Sequence, residues 1–133
     1  RAIAHSYTNS GERPSDRFWE YFVNVAELMQ TKRRNESFEH FIRRRVEEDK
    51  ALGVEYQVAE LYENRFVGRV KKCGLKQSLT EIVKLTGRLS QDFPCKLCES
   101  TWQGACRAMG YKLEQAREKD GCTVKVEKPG SKK

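Results

Sequence analysis

The sequence predicts a mainly α domain with a C-terminal β-hairpin, an α+β chain in which a helical bundle leads into a basic C-terminal half. Three observations carry this. Apolar residues recur at three- and four-residue steps through most of the chain, the step shortens to two after Gly110, and Asp120-Gly121 separates the two alternating stretches. Asp-Gly is a favoured dipeptide of the tight hairpin turn, because both of its residues tolerate positive φ. The 133 residues, 38% hydrophobic and 34% charged, are enough for one domain whose core needs neither disulfide nor metal. No apolar run approaches the ~20 residues that span a bilayer, so no membrane partner is expected. The first residue is Arg1, which leaves open whether a signal peptide was removed.

Residues 1–15 are polar and turn-rich and read as a mobile leader. The first helix starts after Ser15, with Phe18, Phe22, Val25 and Met29 as its core stripe and Trp19, Tyr21 and Val23 widening the apolar surface. Ser37 caps a second helix carrying Phe38, Phe41, Ile42 and Val46. Val54, Val58, Leu61, Tyr62, Phe66 and Val70 continue the helical step into a third segment that ends at Gly74. Ser78-Leu79-Thr80-Glu81 fits a capping box ahead of Ile82 and Val83, and Gly87 stops that helix. Ser100-Thr101-Trp102-Gln103 fits another, after which Trp102, Ala105, Cys106 and Met109 share a core face up to Gly110. Tyr111, Leu113 and Gln115 then alternate with polar residues, as do Cys122, Val124 and Val126. Tyr111 to Lys119 also has helix-forming composition, but Gly110 and Asp120-Gly121 favour two strands. The expected organisation is one domain over 16–127, with an aromatic-rich part at 16–74, a basic part at 75–127 and a flexible tail at 128–133.

Charge divides the chain unevenly. Residues 1–70 carry 12 Lys and Arg against 12 Asp and Glu, whereas residues 71–133 carry 14 against 7, so the net +7 belongs to the second part. A basic half suggests a polyanionic partner such as nucleic acid. Lys32-Arg33-Arg34 and Arg43-Arg44-Arg45 lie in the neutral part and read as helix ends and solvated surface.

Two short helices followed by a hairpin, with SLTEIVKLTG, CESTWQGACRAMG and YKLEQAREKDGCTVKVE as the three pieces, resemble the winged-helix superfamily of helix-turn-helix domains. The resemblance covers residues 78–127 and rests on element order. The connection between the helices is longer than in the tight motif and contains Pro94 and a CxxC. It implies a second helix that reads a groove through Gln103 and Arg107, and a wing whose Lys112, Arg117, Lys119 and Lys125 contact phosphate. Trp102 belongs to the core in this reading. The expected function is nucleic-acid binding, DNA included, in an intracellular and nuclear rather than cytoplasmic protein. The alternative is a protein-interaction or dimerisation module using the aromatic-rich N-terminal helices.

Five cysteines are present, and Cys95-Lys-Leu-Cys98 has the spacing that presents two thiolates to zinc. Cys106 follows, and Cys122 or Cys73 would complete a tetrahedral set. No cofactor is specified outright; zinc on Cys95, Cys98, Cys106 and Cys122 is the one candidate. Cys106 also falls on an apolar helix face, where a buried thiol needs no further role. An odd count argues against a closed disulfide framework and for a reducing compartment. There is no Gly-rich phosphate loop, GxSxG or HExxH, and neither His5 nor His40 lies near a cysteine in sequence, so no enzymatic activity is expected.

Overall fold

The computed structural model describes residues 16–87 and 93–129, and the expected leader and most of the expected tail lie outside them. The elements are α1 (Asp16–Thr31), α2 (Phe38–Ala51), β1 (Gln57–Leu61), β2 (Arg65–Val70), α3 (Gly74–Thr86), α4 (Phe93–Met109), β3 (Lys112–Arg117) and β4 (Cys122–Glu127). The order two helices, two strands therefore occurs twice. The two hairpins meet through their second strands in one antiparallel sheet of order β1-β2-β4-β3. The fold is α+β, with four strands where the sequence suggested two.

The added hairpin is β1–β2, over residues expected to be helical. Val54, Val58, Tyr62, Phe66 and Val70 are spaced by fours, and a step of four satisfies a strand's period of two as well as a helix's 3.6. In β2, Phe66, Gly68 and Val70 are buried, while Arg69 between them is exposed. Val and Phe are better suited to a pleated surface than to a helix, and the turn at Glu63-Asn64 closes the hairpin.

One sheet face packs on α2 and α4. Phe66 and Trp102 stack with ring planes 11° apart, and Phe41 meets Trp102 and Tyr111 edge-on. Phe38, Ile42, Ala105, Cys106, Val124 and Val126 complete the core. Trp102 is fully buried, as its helical position implied. The other sheet face is charged, with Arg65, Lys112, Glu114, Lys125 and Glu127 together.

Helix α1 lies along α4. It buries Trp19, Val23 and Gln30, so its inward stripe is turned about one position from the expected Phe18–Phe22–Val25–Met29. Gly104 permits this approach: a Cβ there would lie 2.3 Å from the Val23 carbonyl oxygen. Ser37 caps α2 as expected, accepting from the His40 N–H at 3.1 Å. The other two helices start earlier than their capping boxes. Helix α3 begins at Gly74, with the Cys73 sulfur accepting from the Lys76 N–H at 3.3 Å. Helix α4 already includes Phe93, so Ser78 and Ser100 sit inside helices. Gly110, at φ 74, ends α4 in the left-handed region.

Candidate functional site

The residues expected to contact nucleic acid fall in three places. Gln103 and Arg107 are exposed on α4, but α1 runs beside them, and Arg107 donates to Asn24 at 3.4 Å and Glu27 at 3.3 Å. Lys112 and Lys125 lie on the charged sheet face, interleaved with Glu114 and Glu127 in the manner of alternating cross-strand charges. Arg117 makes a two-pronged ion pair with Glu99, at 2.6 and 3.0 Å. Lys119, in the β3–β4 turn, lends its carbonyl oxygen to the Lys76 ammonium at 2.8 Å. That contact brings a second basic residue to the end of the sheet where Lys71 and Lys72, exposed, leave β2.

The cysteines divide differently from the expected set. Cys106 is 2% exposed and packed in the core among Trp102 and the β4 valines. It does not line the cavity that takes in the other four. Cys73, Cys95, Cys98 and Cys122 line a single cavity of about 30 Å³ with Lys76 and Arg117. Cys95 and Cys98, three apart, occupy one face of the first turns of α4. Cys122 starts β4 opposite Val70, and the Cys73 N–H donates to the Asp120 carbonyl at 2.8 Å, so β2–β4 pairing delivers the other two. All five thiols are free. Burial and then the neighbouring Cys73 and Cys95 push the Cys122 thiol up to about 12. Burial also raises Cys98, against a hydrogen bond with Tyr56, and raises Cys95, against the positive Arg117 and Lys76. Such thiols are protonated at neutral pH and are not activated nucleophiles. Among the described residues, no group of three or more His, Cys, Asp and Glu side chains stands ready to hold a metal ion.

A third feature is the outward surface of α1. Tyr21, Leu28 and Met29 are 51%, 63% and 64% exposed, and Val25 is half-buried between them. Steps of three, four and seven make these one strip along the helix. Beside it runs a groove of about 280 Å³ walled by Phe22, Val25 and Met29 of α1, Arg45 and Glu48 of α2, and Thr101 of α4. Leu28 carried no special signal in the sequence except its place seven residues after Tyr21. The quarter-turn rotation of α1 onto α4 turned this strip outward.

A buried polar group joins these regions. Asp49, 5% exposed, accepts from the Tyr56 hydroxyl at 2.9 Å and the Trp102 indole at 3.1 Å and pairs with Arg45 at 3.3 Å. Arg45 also lies 4.8 Å over the Trp102 ring. Its donors are matched to one acceptor, the pattern of a structural network. No helix among the described residues is long and apolar enough to cross a membrane. No family model, no curated protein and no solved structure matches this chain.

Proposed function

We propose that the domain is a protein-interaction module that pairs with a second copy of itself through the outward face of α1. The observation that supports this reading is the strip of Tyr21, Val25, Leu28 and Met29 beside a groove of mixed lining, Phe22, Val25 and Met29 together with Arg33, Arg44, Arg45 and Glu48. Covering such surface is worth about 25 cal/mol per Å² of apolar area. Two-fold pairing requires a patch that matches itself. Glu20 is exposed near the start of α1, and Lys32, Arg33 and Arg34 are exposed just past its end. Two copies laid antiparallel, with Val25 near the axis, set strip against strip, with Arg17 and Glu20 of one copy toward Lys32, Arg33 and Arg34 of the other. Light scattering behind size exclusion tests this. A concentration-dependent dimer is expected, with Leu28→Glu shifting it to monomer while the circular dichroism stays unchanged. A wild-type chain that remains monomeric at high concentration would sink the proposal.

Nucleic-acid binding stands as a second reading on one observation, the gathering of Lys71, Lys72, Lys76 and Lys119 at one end of the sheet. An intracellular, nuclear setting goes with it. Its mechanism is phosphate neutralisation, so affinity for a short duplex falls with salt at a log–log slope of about −0.9 for each phosphate contacted. Fluorescence anisotropy that shows no binding at low salt removes it.

A further inference from the structure

Helix α1 is seated on α4 through Trp19, Val23 and the notch at Gly104, and it leaves a groove of about 280 Å³ between itself and α2, lined also by Thr101 and Ala105 of α4. We propose that this groove is a binding site for a small aromatic carboxylate, with its ring against Phe22 and Met29 and its carboxylate on Arg33.

Charge selects the head of the ligand. Arg33, Arg44, Arg45 and Glu48 line the groove, and the last three are already tied together. Glu48 accepts from Arg44 at 2.9 Å and from Arg45 at 3.1 Å, Glu36 also holds Arg44, and Asp49 pairs with Arg45 at 3.3 Å. Arg33 is different. It is exposed in the turn just past α1, where its N–H donates to the Gln30 carbonyl at 2.8 Å, and its guanidinium has no ion-pair partner among the described residues. The same wall is short of acceptors: Arg45 Nε is buried without a partner, and the Gln30 side-chain oxygen already accepts from Arg44 at 2.6 Å. One unpaired guanidinium calls for a monoanion, and a carboxylate presents two oxygens to its fork of donors.

Lining and size select the tail. Phe22, Val25, Ala26 and Met29 on the α1 side and Ala105 on the α4 side make the groove apolar away from α2. Its volume lies near the low end of small-molecule sites, ~300–1,000 Å³, which suits a compact ring system and not a long acyl chain. A ring stacks on Phe22 and meets the Met29 thioether, and Met29, unbranched and exposed, folds over an occupant without disturbing the core. The groove shares Val25 and Met29 with the strip on α1, but Tyr21 and Leu28 lie outside it, so ligand binding is separable from pairing.

The chain has two methionines, Met29 in the groove and Met109 packed against the core, so NMR of isotope-labelled methionine methyls reads the site directly. Titration of the full chain with naphthoate is expected to move the Met29 signal saturably and to leave Met109 nearly in place. Naphthamide, the same ring without the charge, is expected to bind about five-fold more weakly, as is naphthoate to Arg33→Gln. The titration is repeated on Leu28→Glu, in which pairing through α1 is removed, and a saturable Met29 shift in either chain supports the groove. A chain that never dimerises leaves this measurement unaffected. No saturable shift in either chain, equal affinity for naphthoate and naphthamide, or undiminished binding by Arg33→Gln would overturn the site.

Discussion

Asp49 is bonded inside the core by Tyr56, Trp102 and Arg45, three donors on one carboxylate. Burial raises its pKa, and Arg45 and the two neutral donors work against that rise. Removing the carboxylate leaves a guanidinium buried without its counter-charge and two aromatic donors without an acceptor. Arg45 already has one ring-side N–H, Nε, buried with no partner among the described residues. Asp49→Ala should therefore cost about 3–5 kcal/mol, the range for breaking a buried ion pair, which urea unfolding followed by Trp fluorescence will measure. The sequence half-showed this residue. Phe38, Phe41, Ile42, Arg45 and Asp49 keep the inward helical step, and all are buried. Residue type concealed it, because Arg45 and Asp49 sit in a run of charge that composition alone assigns to solvent. Only Tyr56, just ahead of β1, and Trp102 on α4 make burial affordable, and Trp102 lies 53 residues away in sequence.

At the scale of elements, the contact between α1 and α4 rests on a missing side chain. A Cβ at Gly104 would stand 2.3 Å from the Val23 carbonyl oxygen and 2.8 Å from the Glu27 nitrogen, both backbone atoms that cannot swing aside. Gly104→Ala gains helix propensity locally, by ~1 kcal/mol, yet it must push α1 off α4. A net loss of about 1–3 kcal/mol is expected, as for an overpacked core, read as a lower thermal midpoint with far-ultraviolet circular dichroism preserved. Periodicity found α1 and α4 as helices. It could not rank the stripes of α1, because Phe18, Trp19, Tyr21, Phe22, Val23 and Val25 make the helix apolar on several sides. The groove that receives Trp19 and Val23 is built by α4, and Gly104 sets which stripe fits. The same ambiguity hid β1–β2, whose four-residue spacing suits either period until β4 offers β2 a partner.

For the molecule as a whole, Glu36 ties the end of α1 to α2. Its carboxylate accepts from Arg44 at 2.6 and 3.0 Å and from Gln30 at 3.0 Å, and lies 2.8 Å from His40. The Arg44 bonds lead in lowering its pKa from 4.5 to about 2. A folded-state pKa below the unfolded one means stability that is fully present above the unfolded value and drains away as pH falls through the folded one. Unfolding free energy should thus decline between about pH 4.5 and 2. Glu36→Gln should flatten that part of the profile, and an unchanged acid slope would show that other carboxylates carry it. By itself the sequence determined the existence of α1, α2, α3 and α4, the Ser37 cap, the terminal hairpin (though its turn is the four residues Glu118 to Gly121, with neither Asp120 nor Gly121 at positive φ), the core role of Trp102 and the basic bias after Val70. Each of these depends on neighbours within a turn or two, so local spacing, turn chemistry and counting suffice. The tertiary structure decided the four-strand sheet, the outward strip on α1, the split of the expected basic surface into three places, and the exchange of Cys106 for Cys73 around the thiol cavity. Those outcomes depend on which remote elements meet, and pairing across the β2–β4 junction, from Val70 to Cys122, is information that no single stretch of residues contains.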